Sequence, residues 1–196
     1  MNSSATSPSP NRVQAWIPNL LTGLRLLLVP VFVVVAWDRA EAGAAAGWVS
    51  PTFWLVVVAG ASDLLDGYLA RRWGATSRVG ALLDAVADKS LQFTALVTIV
   101  LLGRPVFTQL PLWLLVAVFL RDFVLLAGWI LLRRLERPVS FEHEIHGRVA
   151  TTLVLGLVLA ATLGVAEGIL LPASALAAAA SLLSAGAYIR RAFRPA

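Results

Sequence analysis

The chain has 196 residues, of which 59% are hydrophobic and only 14% charged, and its mean hydropathy is +0.81. This composition excludes an ordinary soluble domain and is typical of a protein that lies in a membrane. The absence of cysteine excludes disulfides, thiolate nucleophiles and thiolate metal ligands, and the net charge of +5 predicts a basic face toward anionic headgroups, with no nucleic acid as partner.

Residues 1–16 are polar and rich in Pro and Ser, which predicts a disordered or juxtamembrane segment and no cleavable signal peptide. A helix needs roughly 20 apolar residues to cross the hydrocarbon core of a bilayer. Six stretches meet or nearly meet this length: 17–37, 51–71, 81–103, 111–133, 148–166 and 168–190. The sequence therefore predicts an all-α integral membrane protein, with one six-helix catalytic domain at 17–190 and a short C-terminal tail at 191–196.

The basic residues are distributed unevenly between the two sides of these spans, and cytoplasmic connections are the ones enriched in Lys and Arg. One side carries Arg12, Arg71, Arg72, Arg78, Arg133, Arg134, Arg137, Arg148, Arg190, Arg191 and Arg194. The other side has Arg39 and Arg104, whereas Arg25, Lys89 and Arg121 fall inside the spans. Both termini are therefore predicted to be cytoplasmic, and so is the connection between the second and third spans.

Acidic residues interrupt the second and third spans in a regular pattern. Each set falls on one helical face: Asp63, Asp66, Gly67 and Ala70 in the second span, and Gly80, Asp84 and Asp88 in the third. A charged side chain at membrane depth is unfavourable by several kcal/mol, so such a residue indicates a functional site. Because the two spans are antiparallel, Asp63 and Asp88 each lie about 12 Å from the connection between them at 1.5 Å per residue. The four carboxylates are expected to converge near the cytoplasmic boundary.

Four converging carboxylates need a positive partner, because like charges in a low dielectric cannot all remain ionised. Oxygen ligands without cysteine select a hard cation such as Mg²⁺ or Mn²⁺, and four carboxylates suffice for two ions. Two ions can stabilise the attacking and leaving oxygens of a displacement at phosphorus. The alternatives are a proton relay, a structural hydrogen-bonding role, or a cation site in a small cation-coupled transporter, although no inverted repeat is visible.

The motif Asp63-x-x-Asp66-Gly67-x-x-Ala70-Arg71, followed by Gly80-x-x-x-Asp84-x-x-x-Asp88, resembles the signature of the CDP-alcohol phosphatidyltransferases. The resemblance implies six transmembrane helices and transfer of a phosphatidyl group from CDP-diacylglycerol to an alcohol, with release of CMP, at the cytoplasmic side of the inner membrane. It also suggests a homodimer. It implies the following roles: Asp63, Asp66 and Asp84 as metal ligands, Asp88 as ligand and general base, and Gly67, Ala70, Arg71 and Gly80 as the lining of the CDP site.

The first span is similar to the opening of the bacterial phosphatidylglycerophosphate synthases in this family and of their cardiolipin-synthase relatives. This similarity implies that Asn19 and Thr22 approach the cytidine, and that Arg25 meets a phosphate or an Asp. For Asn19 the alternative is a helix N-cap.

Two basic residues are candidates for binding the acceptor, Arg121 in the fourth span and Arg148 in the fifth. The pair Arg121-Asp122 resembles an Arg-acidic pair in phosphatidylglycerophosphate synthases, but Ala150 stands where their Gly-Lys-x-Lys-Thr motif has its second Lys. The Arg-acidic pair favours glycerol 3-phosphate as the first expected acceptor. The departure at Ala150 resembles cardiolipin-type members of the family, which makes phosphatidylglycerol the second, and inositol phosphate is the third. The alternative is that Asp122 only neutralises Arg121 and that Arg148 extends to the interface. His143 and His146 are expected to be solvated, although their spacing allows a metal site.

Overall fold

The computed structural model describes residues 12–73, 78–134 and 145–192, with side chains described except at 12–19, 66, 67, 70–73, 78, 79, 81, 82, 132, 133, 145–148, 191 and 192. This part of the chain is helical throughout apart from its connections. The six helices are α1 (Arg12–Glu41), α2 (Pro51–Trp73), α3 (Arg78–Leu102), α4 (Leu112–Arg134), α5 (Ile145–Leu163) and α6 (Glu167–Ala192). The expected all-α architecture is confirmed over the described ranges.

Each of the six apolar stretches corresponds to one helix, with shifts at the ends. The largest shift is in α1, which begins at Arg12 and ends at Glu41, so it extends beyond 17–37 at both ends. Four segments are long and apolar enough to cross a membrane: Leu20–Glu41, Leu83–Leu102, Leu112–Leu131 and Glu167–Arg190. The apolar segments found in α2 and α5, Pro51–Leu65 and Val149–Leu163, are shorter. The protein is therefore a membrane protein with at least these four candidate spans.

The helices pack in two groups, which are joined through α5 and through contacts between α3 and α4. α1 lies against α2 and α3, α6 lies against α4 and α5, and α5 also contacts α2 and α3. The buried core between the groups includes Phe32, Ile99, Phe107, Leu114 and Val158. The rings of Phe32 and Phe107 stack with centroids 6.1 Å apart. We call the end of the bundle with the α1–α2 connection the Ser50 end and the opposite end the Arg134 end; this apolar core lies toward the Ser50 end.

Hydrogen bonds join the connections at the Ser50 end to one another and to the end of α5. The backbone N–H of Ala46 donates to the carbonyl of Pro105 at 2.9 Å, and that of Thr108 donates to the carbonyl of Ala161 at 3.1 Å. α3 stops at Leu102 because Gly103 adopts a positive φ of 54°, a conformation that ends helices. These hydrogen bonds tie the Ser50 end together, whereas the buried Arg25 lies nearer the Arg134 end of α1.

Large apolar side chains cover the outside of the bundle. Leu27, Val34, Trp54, Leu126 and Leu183 are among the many that are exposed on different helices. Their exposure is unfavourable in water but neutral against lipid tails, which are themselves apolar. The surface of the described chain thus agrees with its composition and indicates that lipid surrounds it.

Candidate active site

Arg25 of α1 is fully buried and its guanidinium contacts three carboxylates. Nη1 donates to Asp84 Oδ1 and to Asp88 Oδ1, each at 2.8 Å, and Nη2 lies 3.3 Å from Asp63 Oδ1. Charge-assisted contacts of this length are among the stronger polar interactions in proteins. One guanidinium on α1 therefore joins the acidic faces of α2 and α3.

The helix geometry explains how these residues meet. Asp84 and Asp88 are four residues apart on α3 and share a face, and Asp63 comes from the neighbouring α2. α1 packs against both helices, and Thr22, one turn before Arg25, is also buried. The side chains of Asp63, Asp84 and Asp88 are 36%, 38% and 45% exposed, whereas that of Arg25 is 0% exposed. The carboxylates thus line an open side, with the guanidinium behind them.

The three carboxylates fit the donor set of a divalent cation. One oxygen from each of Asp63, Asp84 and Asp88 lies within 4.8 Å of the others. With the carboxylates ionised and Arg25 protonated, the cluster keeps two negative charges, which one divalent cation balances. An all-oxygen set is what Mg²⁺ and Mn²⁺ prefer. The cluster therefore suits a hard divalent ion, with Arg25 contributing part of the positive charge.

The structure brings three of the four predicted aspartates together. Asp66 lies on α2, but its side chain falls outside the described part. The same holds for four residues that are predicted to contact the nucleotide and for one that is predicted to bind the acceptor. They lie on described helices, but their side chains are not described: Gly67, Ala70 and Arg71 on α2, Asn19 on α1 and Arg148 on α5. Gly80 is partly buried one turn before Asp84. His143 lies outside the described residues, and the side chain of His146 is not described.

A second charged cluster lies between α3 and α4. Lys89 Nζ donates to Asp122 Oδ2 at 2.7 Å, and Arg121 Nη1 donates to Asp122 Oδ1 at 2.7 Å. The sequence offered neutralisation of Arg121 by Asp122 as an alternative, and this contact is present. We call these three residues the Lys89 cluster.

Sequence reasoning assigned no role to Lys89, but it expected Arg25 to meet a phosphate or an Asp, and the structure shows contact with three aspartates. A signal for Lys89 was available in the chain. Lys89 comes eleven residues after the start of α3 at Arg78, and Asp122 comes twelve before the end of α4 at Arg134. At 1.5 Å per residue both lie about 17 Å from the Arg134 end. Opposite charges at equal depth in antiparallel helices predict an ion pair.

Comparison with known proteins agrees with this arrangement of residues. The sequence model of the family described as CDP-alcohol phosphatidyltransferase matches residues 15–183 of the chain. The matched range includes Arg25 and the whole of α2, α3 and α4, and hence every described residue of both charged clusters.

Relatives with two different names share parts of the sequence. A Haemophilus influenzae protein named CDP-diacylglycerol–glycerol-3-phosphate 3-phosphatidyltransferase is 45% identical over 86 residues, 43% of this chain and 43% of its own length. An Escherichia coli K12 protein with that name is 33% identical over 141 residues, 69% of this chain and 70% of its own. A Streptomyces coelicolor cardiolipin synthase (CMP-forming) is 39% identical over 137 residues, 69% of this chain and 59% of its own.

The chain thus spans less than half the length of the Haemophilus influenzae relative in the matched region. The family match, in contrast, runs over most of the chain and includes the three aspartates that converge on Arg25. The chain therefore belongs to the CDP-alcohol phosphatidyltransferase family.

Proposed function

We propose that this protein transfers the phosphatidyl group of CDP-diacylglycerol to an alcohol and releases CMP. The observation that carries the proposal is the convergence of Asp63, Asp84 and Asp88 around Arg25 inside a membrane helix bundle, where the described side chains place three carboxylates on one guanidinium. A cluster of this kind is unfavourable unless cations bind to it. Membership of the family supplies the reaction class.

In the proposed reaction the acceptor hydroxyl attacks the phosphorus of the phosphatidyl group. A new O–P bond forms, the bond from that phosphorus to the oxygen of CMP breaks, and CMP leaves with the electron pair. Asp88 accepts the hydroxyl proton as general base, because an alcohol is a weak nucleophile until its proton is removed. Mg²⁺ or Mn²⁺, as two ions bound by Asp63, Asp66, Asp84 and Asp88, would neutralise the charge that develops on the diphosphate.

The nucleotide is proposed to bind beside these carboxylates, at the Arg134 end of α1, α2 and α3. Its proposed contacts are Asn19, Thr22, Gly67, Ala70, Arg71 and Gly80. Small residues at 67, 70 and 80 would leave space for the cytidine and ribose, and Arg71 would pair with a phosphate. The burial of Thr22 on the face of α1 that carries Arg25 supports this placement, because that face meets the acidic stripes.

The acceptor is proposed to be glycerol 3-phosphate, with Arg121 and Arg148 binding its phosphate. The names of the Haemophilus influenzae and Escherichia coli relatives support this choice. The name of the Streptomyces coelicolor relative supports phosphatidylglycerol as the second candidate, and inositol phosphate is the third. A cation-coupled transporter is the rival of another class, but the relatives described above are all named as transferases or synthases.

We further propose that all six helices cross the inner membrane, with both termini and the active site on the cytoplasmic side. α2 has 23 residues and α5 has 19, which correspond to about 34 and 28 Å, close to the thickness of the hydrocarbon core. Residues 17–190 would form the catalytic domain, with 1–16 and 191–196 as flanking segments. A homodimer is proposed from the resemblance to the family.

An acceptor panel tests the proposal. The purified protein is incubated in lipid nanodiscs with CDP-diacylglycerol, Mg²⁺ and, separately, glycerol 3-phosphate, phosphatidylglycerol, inositol phosphate or no acceptor. We expect CMP release only with an acceptor, and mass spectrometry of the lipid product identifies which one. Absence of CMP release with every acceptor would contradict the proposed function. A lipid product other than phosphatidylglycerophosphate would show that glycerol 3-phosphate is the wrong acceptor.

A further inference from the structure

The Lys89 cluster has an arrangement that a simple ion pair does not explain. Asp122 uses its two oxygens separately, with Oδ2 accepting from Lys89 and Oδ1 accepting from Arg121, both at 2.7 Å. Lys89 comes from α3, whereas Arg121 and Asp122 come from α4. Two cations from two helices are thus held on either side of one carboxylate, and the cluster carries a net charge of +1.

The position of Lys89 makes a purely structural role unfavourable. Its side chain is 47% exposed, although it lies about 17 Å from the Arg134 end of the bundle at 1.5 Å per residue. A half-exposed ammonium at such a depth is unfavourable against lipid, so charged groups there face a polar cavity or a ligand. α3 and α4 contact each other through the rings of Phe93 and Phe119, whose centroids are 4.2 Å apart. These rings lie about one turn from Lys89 and Asp122 toward the Ser50 end, so a ligand would reach Lys89 from the Arg134 end.

Lys89 has hydrogen-bonding capacity to spare. A lysine ammonium has three N–H donors, and among the residues that the structure describes Asp122 is its one partner. Arg121 is only 8% exposed, whereas the side chain of Lys89 is about half exposed. The cluster therefore combines a buried guanidinium, a reachable ammonium and an excess positive charge, which together suit an anion.

The neighbouring residue in the chain suggests which anion this is. Lys89 follows Asp88, the proposed base, and successive side chains on a helix diverge by about 100°. An anion held by Lys89 thus lies on the α4 side of Asp88, whose carboxylate takes the proton from the attacking hydroxyl. In glycerol 3-phosphate and in phosphatidylglycerol alike, a short three-carbon unit separates the attacking hydroxyl from a phosphate. The phosphate of either acceptor could therefore occupy the cluster while its hydroxyl reaches Asp88.

We propose that Lys89 binds the phosphate of the acceptor together with Arg121, and that Asp122 is a positioning residue that holds both cations in place. This inference rests on the proposed function and adds to it a residue, Lys89, and a role for Asp122. A free lysine side chain has considerable rotational freedom, which it loses on binding a ligand. Anchoring the ammonium to Asp122 beforehand reduces that loss, so the binding site is preorganised.

Steady-state kinetics of CMP release test the proposal in Lys89→Met and Asp122→Asn. We expect the KM for the active phosphate-bearing acceptor to rise at least tenfold in both variants, while the KM for CDP-diacylglycerol stays within twofold. Lys89→Arg and Asp122→Glu should restore part of the loss, because they keep the charges. Arg104→Gln is the matched control, since it removes a cation that pairs with Glu167 at 3.0 Å at the Ser50 end, and it should leave both KM values unchanged.

A second readout separates binding from folding and from the reaction itself. Isothermal titration of glycerol 3-phosphate, or of inorganic phosphate, into the protein without CDP-diacylglycerol should show at least tenfold weaker binding in Lys89→Met than in the wild type. Phosphatidylglycerol in nanodiscs, titrated in a parallel series, distinguishes a lipid phosphate from a free one. The thermal unfolding temperatures of the variants should match that of Arg104→Gln.

Several outcomes would overturn the inference. Unchanged acceptor KM and unchanged phosphate binding in Lys89→Met would remove Lys89 from the acceptor site. Equal rises in the KM for both substrates, with a lowered unfolding temperature and no rescue by Lys89→Arg, would assign the cluster a structural role. Failure of the wild type to release CMP with any acceptor would contradict the proposed function instead. The phosphate titration would then still decide whether the cluster binds phosphate.

Discussion

Arg25 is the residue on which the electrostatics of the candidate site depend. Its guanidinium is fully buried and contacts Asp63, Asp84 and Asp88, whose side chains are partly exposed. A buried cation and carboxylates that share it stabilise one another, and the loss of one partner leaves the others uncompensated. We therefore interpret Arg25 as the fixed positive charge that keeps the carboxylates together before a metal ion binds.

Arg25→Gln should accordingly destabilise the protein, and the loss of stability should be larger in EDTA, which removes divalent cations, than in Mg²⁺. Because the carboxylates are partly exposed, we expect a loss of about 2 kcal/mol in EDTA, below the range for fully buried pairs. A divalent cation should recover part of it, since it replaces the missing charge. Thermal unfolding with EDTA and with Mg²⁺ measures both effects.

Arg104→Gln provides the comparison for this residue. The pair of Arg104 with Glu167 is exposed on both sides, and such pairs contribute roughly 0–1 kcal/mol. Its unfolding temperature should therefore not depend on Mg²⁺. An equal response of Arg25→Gln and Arg104→Gln to Mg²⁺ would argue against the shared role of Arg25 and the metal ion.

At the scale of the helices, α4 and α6 approach closely at one glycine. A Cβ built on Gly128 would overlap the ring of Tyr188 from α6, so the packing of these two helices depends on the absence of a side chain there. Small residues serve this purpose in membrane helix bundles, because they let helix backbones approach. α6 contributes further small buried residues, such as Ala177, Ser181 and Ala185.

Gly128→Ala should lower stability by about 1–2 kcal/mol, because Tyr188 must move to admit the methyl group. Gly156→Ala on α5 is the matched control, since nothing lies within 4 Å of a Cβ at that glycine. There the higher helix propensity of Ala should leave stability unchanged or raised by up to about 1 kcal/mol. Denaturation followed by tryptophan fluorescence compares them, and equal effects would contradict the packing argument.

The helices and the acidic cluster were accessible to sequence reasoning for different reasons. Helix positions follow from the length of apolar stretches, and the convergence of Asp63 with Asp84 and Asp88 follows from helical periodicity and a short antiparallel connection. The contact between Lys89 and Asp122 also depends on the rotation of α3 relative to α4. Hydropathy leaves that rotation unspecified, because lipid and packed helix faces are both apolar. Arg25 was considered as a partner for an Asp, but its contact with three carboxylates required the packing of α1.

For the molecule as a whole, the distribution of Arg predicts one orientation in the membrane. The absence of native cysteine allows single cysteines to be introduced without further changes. Ala45→Cys, at the Ser50 end, should react with an impermeant maleimide added outside intact spheroplasts. Arg134→Cys, at the other end of α4, should react only after the membrane is opened. The reverse pattern would place the candidate active site on the outer side.

The account as a whole depends on the claim that the aspartate cluster performs phosphatidyl transfer. The most direct measurement is CMP release from CDP-diacylglycerol with Mg²⁺ and the acceptor that the panel identifies, comparing the wild type with Asp88→Asn. Glu167→Gln serves as a carboxylate control at the Ser50 end. We predict that EDTA abolishes release by the wild type, that Asp88→Asn loses at least about 100-fold in kcat while still binding CDP-diacylglycerol, and that Glu167→Gln retains activity. Near-normal turnover by Asp88→Asn, or release that is insensitive to EDTA, would contradict the account.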